Sequence, residues 1–201
     1  MPAALTDSCK RSFPTTTFDR CPIRSPRRAA QPAFEILSPH HDRAAFNCGE
    51  DSLNNFLKRQ ARQNASRNLG VTHVIVPSVG ATQIWGYYTL LVRSVEQDAW
   101  PRSKKFPSDG VGVALLGRLA VDQSAQGKGL GTMMLLRAIE QTERAARDLG
   151  IYALVVHALD DRARDWYLRL GFGFEELLDN PRHLYLSIEA ICQSGLTETR
   201  E

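Results

Sequence analysis

An apolar run from Val111 to Val121, the glycine cluster Gln126-Gly127-Lys128-Gly129-Leu130-Gly131, an amphipathic stretch closing at Gly150 and a second apolar run, Ile151 to Ala158, follow one another along the chain. This order limits the possible folds more than any other feature. A nearly continuous apolar strand must be covered on both faces, which places it centrally in a sheet. The amphipathic stretch puts Leu130, Met134, Leu135, Ala138, Ile139, Thr142, Ala146 and Leu149 on one side of a helix, with Arg137, Glu140, Glu143 and Arg147 turned to solvent. Gly150 is its natural stop. Strand, helix and strand then form a βαβ unit with parallel strands and a right-handed crossover. The fold class is therefore α/β, with a mixed central sheet flanked by helices.

The rest of the chain supplies further elements. Phe34-Glu35-Ile36-Leu37 reads as a short strand. Asp51 or Ser52 is placed to cap a helix with the stripe Leu53, Phe56, Leu57, Gln60 and Ala61. Val71 to Pro77 and Ile84 to Val92 flank Val79-Gly80-Ala81 and predict an antiparallel hairpin. A loop from Gln97 to Gly110 leads into the central strand. Asp160 and Asp161 can start a helix with Ala163, Trp166, Tyr167 and Leu170 on its inner face, and Phe172 to Glu176 with His183 to Ile188 predict a last hairpin around Asn180-Pro181. The expected division is a basic, disordered tail over residues 1–33, one folded domain over 34–190 and a C-terminal tail over 191–201. The N-terminal tail reads either as an extension without function or as a basic arm that helps hold an acidic partner.

Composition excludes several classes. The 201 residues suffice for one core without disulfides or a structural metal. The four cysteines, Cys9, Cys21, Cys48 and Cys192, contain no C-x-x-C pair, so no metal site is expected, and a reducing cytoplasm is the simple compartment. A net charge of +3 is too mild to mark a nucleic-acid binder by itself. No apolar run approaches the roughly 20 residues of a membrane-spanning helix.

The glycine cluster carries the chemistry. A helix start offers unpaired N–H groups and a partial positive charge, and glycines let phosphate oxygens reach the backbone. Lys128 can add a point charge. The cluster has neither the G-x-x-x-x-G-K-[ST] order of a P-loop nor the first-strand context of a dinucleotide fold. A tight strand-to-helix turn would explain the same glycines.

Gln126-x-x-Gly129-x-Gly131 after Leu116-Gly117-Arg118-Leu119-Ala120-Val121-Asp122 resembles motif A of the GCN5-related N-acetyltransferases (GNAT). Asp160-x-x-Ala163-x-x-x-Tyr167-x-x-x-Gly171-Phe172 resembles their motif B helix, with Asp160 where many members have Asn. The resemblance spans about Phe34 to Ile188 and implies a GNAT fold with a βαβ core that binds acetyl-CoA. It implies that the backbone of Leu119, Ala120 and Val121 pairs with the pantetheine arm. It further implies that Gln126, Gly127, Lys128, Gly129, Leu130, Gly131 and Thr132 take the pyrophosphate, and that Tyr167 faces the thioester sulfur as a proton donor. Burial alone would also account for Tyr167, which shares an apolar stripe. The resemblance also implies direct attack of an amine on the thioester, with no acyl-enzyme, and no cysteine or serine stands out as a nucleophile. An α-amine with pKa near 8 is partly neutral at pH 7, which suits a site without an obvious catalytic carboxylate. His157 reads either as a base or as a hydrogen-bonded histidine in or near the core.

A narrower resemblance lies in Phe46-Asn47-Cys48-Gly49-Glu50-Asp51-Ser52-Leu53-Asn54-Asn55-Phe56-Leu57 with Gln60-Ala61, in Gly86-Tyr87-Tyr88-Thr89-Leu90 and in Val156-His157-Ala158-Leu159-Asp160-Asp161-Arg162-Ala163. These are similar to acetyltransferase toxins of bacterial type II toxin-antitoxin pairs. That likeness implies acetylation of the α-amine of aminoacyl-tRNA, a block on translation, a ribbon-helix-helix antitoxin as partner and, by analogy, a homodimer. Lys58, Arg59, Arg62, Arg67, Arg93, Lys104 and Lys105 would then form a basic rim for acceptor-stem phosphates. Two other readings stand beside it: an acetyltransferase for a free small-molecule or protein amine, and a silent module that binds acetyl-CoA or an antitoxin.

Overall fold

The computed structural model of the chain describes residues 31–196. The expected N-terminal tail, except residues 31–33, and residues 197–201 lie outside the described residues. Strands Ala33–Ile36 (β1), Val71–Val76 (β2), Gly86–Val95 (β3), Val111–Val121 (β4), Ala153–His157 (β5), Glu175–Glu176 (β6) and His183–Ser187 (β7) form one sheet in the order β1-β2-β3-β4-β5-β7-β6. Every neighbouring pair is antiparallel except β4 and β5. The parallel pair expected from the two apolar runs thus lies at the centre of a mixed sheet.

Helices cover both faces. On one face Leu130–Leu149 (α3) carries Met134, Leu135, Ala138 and Ile139 onto Leu116, Leu154 and Val156. It ends at Gly150, whose left-handed backbone (φ 62°) donates to the Ala146 carbonyl. Asp161–Arg169 (α4) packs on the same face. Its cap is Asp160, whose carboxylate accepts from the Ala163 N–H at 2.7 Å, so the aspartate serves the capping role.

On the other face Asp51–Asn55 (α1) and Ala61–Ser66 (α2) are joined by a single π-helical stretch, Phe56–Gln60. Phe56, Leu57 and Ala61 cover Val74, Val76, Tyr87 and Ala120. Farther along that face, Trp100 and Leu177, with Phe106 against them, cover Val113, Val155 and Tyr185.

Three local expectations need correction. The first helix is capped by Glu50, not by Asp51 or Ser52, because the Glu50 carboxylate accepts from the Ser52 N–H. Gln60 leaves the expected buried stripe and is exposed, since the wider π turn, closed by Ala61 N–H to Phe56 O, shifts the helical phase. Residues 191–194, expected to open a tail, belong instead to a helix, Ile188–Ser194 (α5). Ser187 caps it by accepting from the Ala190 N–H at 3.1 Å, and Ile191 is buried against the α3 core.

Candidate active site

β4 pairs with β3 along its whole length, up to Val121 opposite Gly86, but its parallel pairing with β5 ends at Leu116 opposite Val156. The backbone of Leu119 to Val121 therefore keeps a free hydrogen-bonding edge on the β5 side. The cause is a bulge at Gly117: Leu90 pairs with Leu116 and Thr89 with Arg118, which leaves Gly117 without a partner. Side-chain alternation changes phase there. Ala114 and Leu116 face α3, and so do Leu119 and Val121, while Arg118 and Ala120 turn to the opposite face. A Cβ at Gly117 would come within 3.0 Å of the Leu91 side chain.

The chain leaves β4 through a short 3-10 turn, Gln123–Ala125, that Asp122 holds by accepting from the Asn47 and Ser124 N–H groups and the Ser124 hydroxyl. Gly127 (φ 74°) and Gly129 (φ 75°) then adopt left-handed backbone, which disfavours any residue with a Cβ. An added Cβ at either would meet nothing within 4 Å, so the space over the turn is open. Gly129 is the N-cap of α3, and the helix ladder begins with Met133 N–H donating to the Gly129 carbonyl at 3.1 Å. The N–H groups of Leu130, Gly131 and Thr132 precede that ladder and point out of the helix start. Beside them runs the free edge of β4. An open strand edge that leads to a helix N-terminus suits an extended amide-bearing arm that ends in phosphates.

Not all the expected anion contacts come from side chains. Gln126 Nε2 donates to the Val121 and Cys48 carbonyls at 3.0 and 3.1 Å, which ties the turn to the segment before α1. Lys128 Nζ lies 3.0 Å from the Ser124 carbonyl and 5.7 Å from the Trp85 ring centre. Leu130 is buried in the core and offers only its backbone.

Tyr167 lies on α4 with its ring 4.8 Å from Trp166 and 5.6 Å from Phe174. Trp166 also packs over Gly131, so α4 is braced against the start of α3. Burial holds the Tyr167 phenol well above the ordinary tyrosine value, which keeps it protonated at every pH where the protein works. Tyr167 is buried, and among the described residues its hydroxyl has no hydrogen-bond partner.

The face across the sheet holds a cavity of about 730 Å³ between α2 and β3, lined in part by Phe56, Asn64, Thr89, Leu91, Arg93 and Arg118. The Arg118 guanidinium sits 4.1 Å over the Phe56 ring. Of the seven basic residues expected to form a rim, Arg93 lines this cavity. Arg59, Arg62 and Arg67 are exposed on the neighbouring helical segment, and Lys58 is half-buried there. Lys104 and Lys105 instead line a separate hollow of about 680 Å³ with Trp100 and Phe106, so the structure does not gather the seven in one place. None of the seven, nor Arg118, makes an ion pair among the described residues. By contrast Arg137, Arg144 and Arg147 on α3, Arg164 on α4 and Arg182 are all paired with carboxylates.

Sequence reasoning missed Arg118, although one charged residue inside an apolar strand was a signal. It also left His157 open. The residue is exposed at the end of β5 and stacked on His183, so it lies at the edge of the core rather than in it. A metal could be sought at Glu35, His40 and His41, whose ligand atoms lie within 4.8 Å of one another. The Ser38 N–H donates to His41 Nδ1, however, which puts the proton of a neutral ring on Nε2, the atom facing the Glu35 carboxylate at 3.2 Å. That arrangement is an imidazole–carboxylate pair rather than a ligand set.

Comparison with known proteins agrees with this geometry. An acetyltransferase (GNAT) domain model matches residues 79–173. A tRNA-acetylating toxin of Mycobacterium tuberculosis (strain ATCC 25618 / H37Rv) is 38% identical over 151 residues, which cover 75% of this chain and 88% of the relative. A tyrosine-to-phenylalanine mutant of KacT superposes with a TM-score of 0.75 at 32% identity, over 82% of this chain and 99% of KacT. AtaT complexed with acetyl-methionyl-tRNAfMet gives 0.74 at 30% identity, over 82% and 99%. AtaT is also known bound to the C-terminus of the antitoxin AtaR, and AtaTR with AcCoA.

Proposed function

The chain belongs to the GNAT acetyltransferases and uses acetyl-CoA as its donor, and from that premise we propose that it is a toxin that acetylates the α-amine of aminoacyl-tRNA and so blocks translation. The likeness to a tRNA-acetylating toxin and to AtaT supports this reading. The observation that carries it on the chain itself is a group of cations without carboxylate partners at and beside the cavity between α2 and β3. The three arginines of α3 and Arg164 of α4 are paired with carboxylates, whereas Arg93, Arg118 and the cations beyond α1, like Arg162 and Arg169 on α4, make no ion pair among the described residues, and those around the cavity can meet phosphates.

In this reading the pantetheine arm pairs with the free edge at Leu119, Ala120 and Val121. The pyrophosphate rests on the N–H groups from Gly127 to Thr132, with Gln126 fixing the turn and Lys128 swinging from Ser124 to the phosphates. The acetyl group lies where β4 and β5 part. The α-amine enters from the Arg93 and Arg118 side and attacks the carbonyl carbon, and the C–S bond breaks toward α4. There the Tyr167 hydroxyl donates to the sulfur as negative charge develops. A ribbon-helix-helix antitoxin as the silencing partner, a homodimer and a cytoplasmic site of action complete the proposal. Among the described residues no helix is long and apolar enough to cross a membrane.

Mass spectrometry of charged tRNA after incubation with protein and acetyl-CoA tests the substrate. The expected product is an N-acetylated aminoacyl ester on the 3′ adenosine. Charged tRNA left unmodified while free amines are acetylated would replace the toxin reading with that of a small-amine enzyme.

A further inference from the structure

The reaction needs somewhere for the amine's proton to go, and the residues of the proposed cofactor site include no acceptor for it. At pH 7 about nine in ten α-amines with pKa near 8 are protonated and cannot attack. The point where β4 and β5 part is flanked by different groups on the two faces of the sheet. Tyr167 belongs to the α3 side. His157, the first β5 residue beyond the last β4–β5 pair, follows the alternation of Ala153 and Val155 and belongs to the opposite side, where the Arg93 and Arg118 cavity opens.

His157 is not a loose surface residue. It pairs across the strands with His183, and the two rings stack with 3.8 Å between centroids and 22° between planes. His183 is itself fixed by Asp179, with Nδ1 2.8 Å from the carboxylate. A carboxylate, a propping imidazole and an exposed imidazole thus stand in line at the amine's side of the opening. We infer that His157 is the base that takes the proton from the incoming ammonium, with His183 and Asp179 as positioning residues. The inference rests on reading this opening as the place of acetyl transfer, not on which amine is used.

The electrostatics suit the role. Partial burial of the ring, the neighbouring His183 and the charge of Arg93 lower the His157 pKa, while Asp179 opposes them. The imidazole is therefore neutral at pH 7 and ready to accept. One ammonium proton moves to His157 and on to solvent. The neutral nitrogen forms the C–N bond, and the C–S bond breaks with its electron pair on sulfur. Tyr167 donates its proton to the thiolate and recovers one from the excess proton on the new amide nitrogen. Acetyl amide, free thiol and one released proton result.

The test compares kcat/KM between pH 5.5 and 9 for the full chain and for His157→Gln and Asp179→Asn, first on charged tRNA and then on an amino-acid amide. The wild-type rate should rise through a pKa below that of the amine. His157→Gln should lose about tenfold at pH 7, the share of amine left protonated, and regain the wild-type rate near pH 9. Its acetyl-CoA affinity by calorimetry should be unchanged. Asp179→Asn removes the group that raises the His157 pKa, so the rising limb should move to lower pH. A deficit equal at every pH, or none, would overturn the assignment. A wild type that acetylates only the amide removes the tRNA reading and leaves the His157 comparison to be made on the amide, whereas a wild type inert on both removes the two together.

Discussion

Helix α3 on one face of the sheet and the α1–α2 segment on the other handle charge in opposite ways. Along α3, cations lie beside carboxylates, as Arg137 and Arg144 do with Glu140 and Arg147 with Glu143. In the proposed assignment that face binds through backbone: two left-handed glycines, a helix start and a free strand edge. On the α1 and α2 face, Arg93 and Arg118 are unpaired and line a cavity, and recognition falls to side chains. The lesson is a division of labour. A cofactor of fixed chemistry is met by backbone geometry, which few substitutions can vary, and the acceptor by side chains, which can vary without disturbing the core.

Changes on the backbone-binding face should affect the donor or the breaking of the thioester, and changes on the other face the acceptor, its binding and its deprotonation. Tyr167→Phe should have the largest effect, a fall of about 10²- to 10³-fold in kcat from loss of the proton donor, with acetyl-CoA affinity within about twofold of wild type. Rapid-quench assays and calorimetry measure the two; an equal loss in affinity would make Tyr167 a packing residue. Next comes Gly129→Val, which forces a β-branched residue into left-handed backbone over the helix start. It should weaken acetyl-CoA by about five- to thirtyfold by calorimetry, since holding the turn in its binding conformation then costs about 1–2 kcal/mol. Arg118→Ala should raise KM for charged tRNA about tenfold, the size of one lost charge-assisted contact, and leave acetyl-CoA binding untouched. A loss of cofactor affinity there would break the division between the faces. Lys104→Ala, in a hollow apart from the Arg93 cavity, should change KM by about twofold or less.

What could be read from the sequence follows the same division. The turn from β4 into α3 is local: its glycines, the apolar run before it and the helical stripe after it are contiguous, so their order predicts the parallel pair and the anion site together. The Asp160 cap was legible from spacing within a single helix, whereas spacing alone put Tyr167 on a buried stripe and only the motif resemblance singled it out. The acceptor face was not legible, because it is assembled across strands. The bulge that turns Arg118 toward Phe56 exists only in the register of β4 against β3. His157 meets His183 because β7 inserts between β5 and β6, an arrangement no short-range pattern encodes. Gln60 was misplaced for a related reason, since one π-helical turn changes which residues an ideal periodicity would bury. Seven basic residues read as one rim divide between the α1–α2 segment, one cavity and a second hollow, as charge in a sequence says nothing of where folded segments meet.

Hydrogen–deuterium exchange with and without coenzyme A follows the backbone donors themselves. Slowed exchange confined mainly to Leu119–Val121 and Gly127–Thr132 is the predicted result. Bound coenzyme A that leaves those amides exchanging at the rate of the free protein would contradict the account.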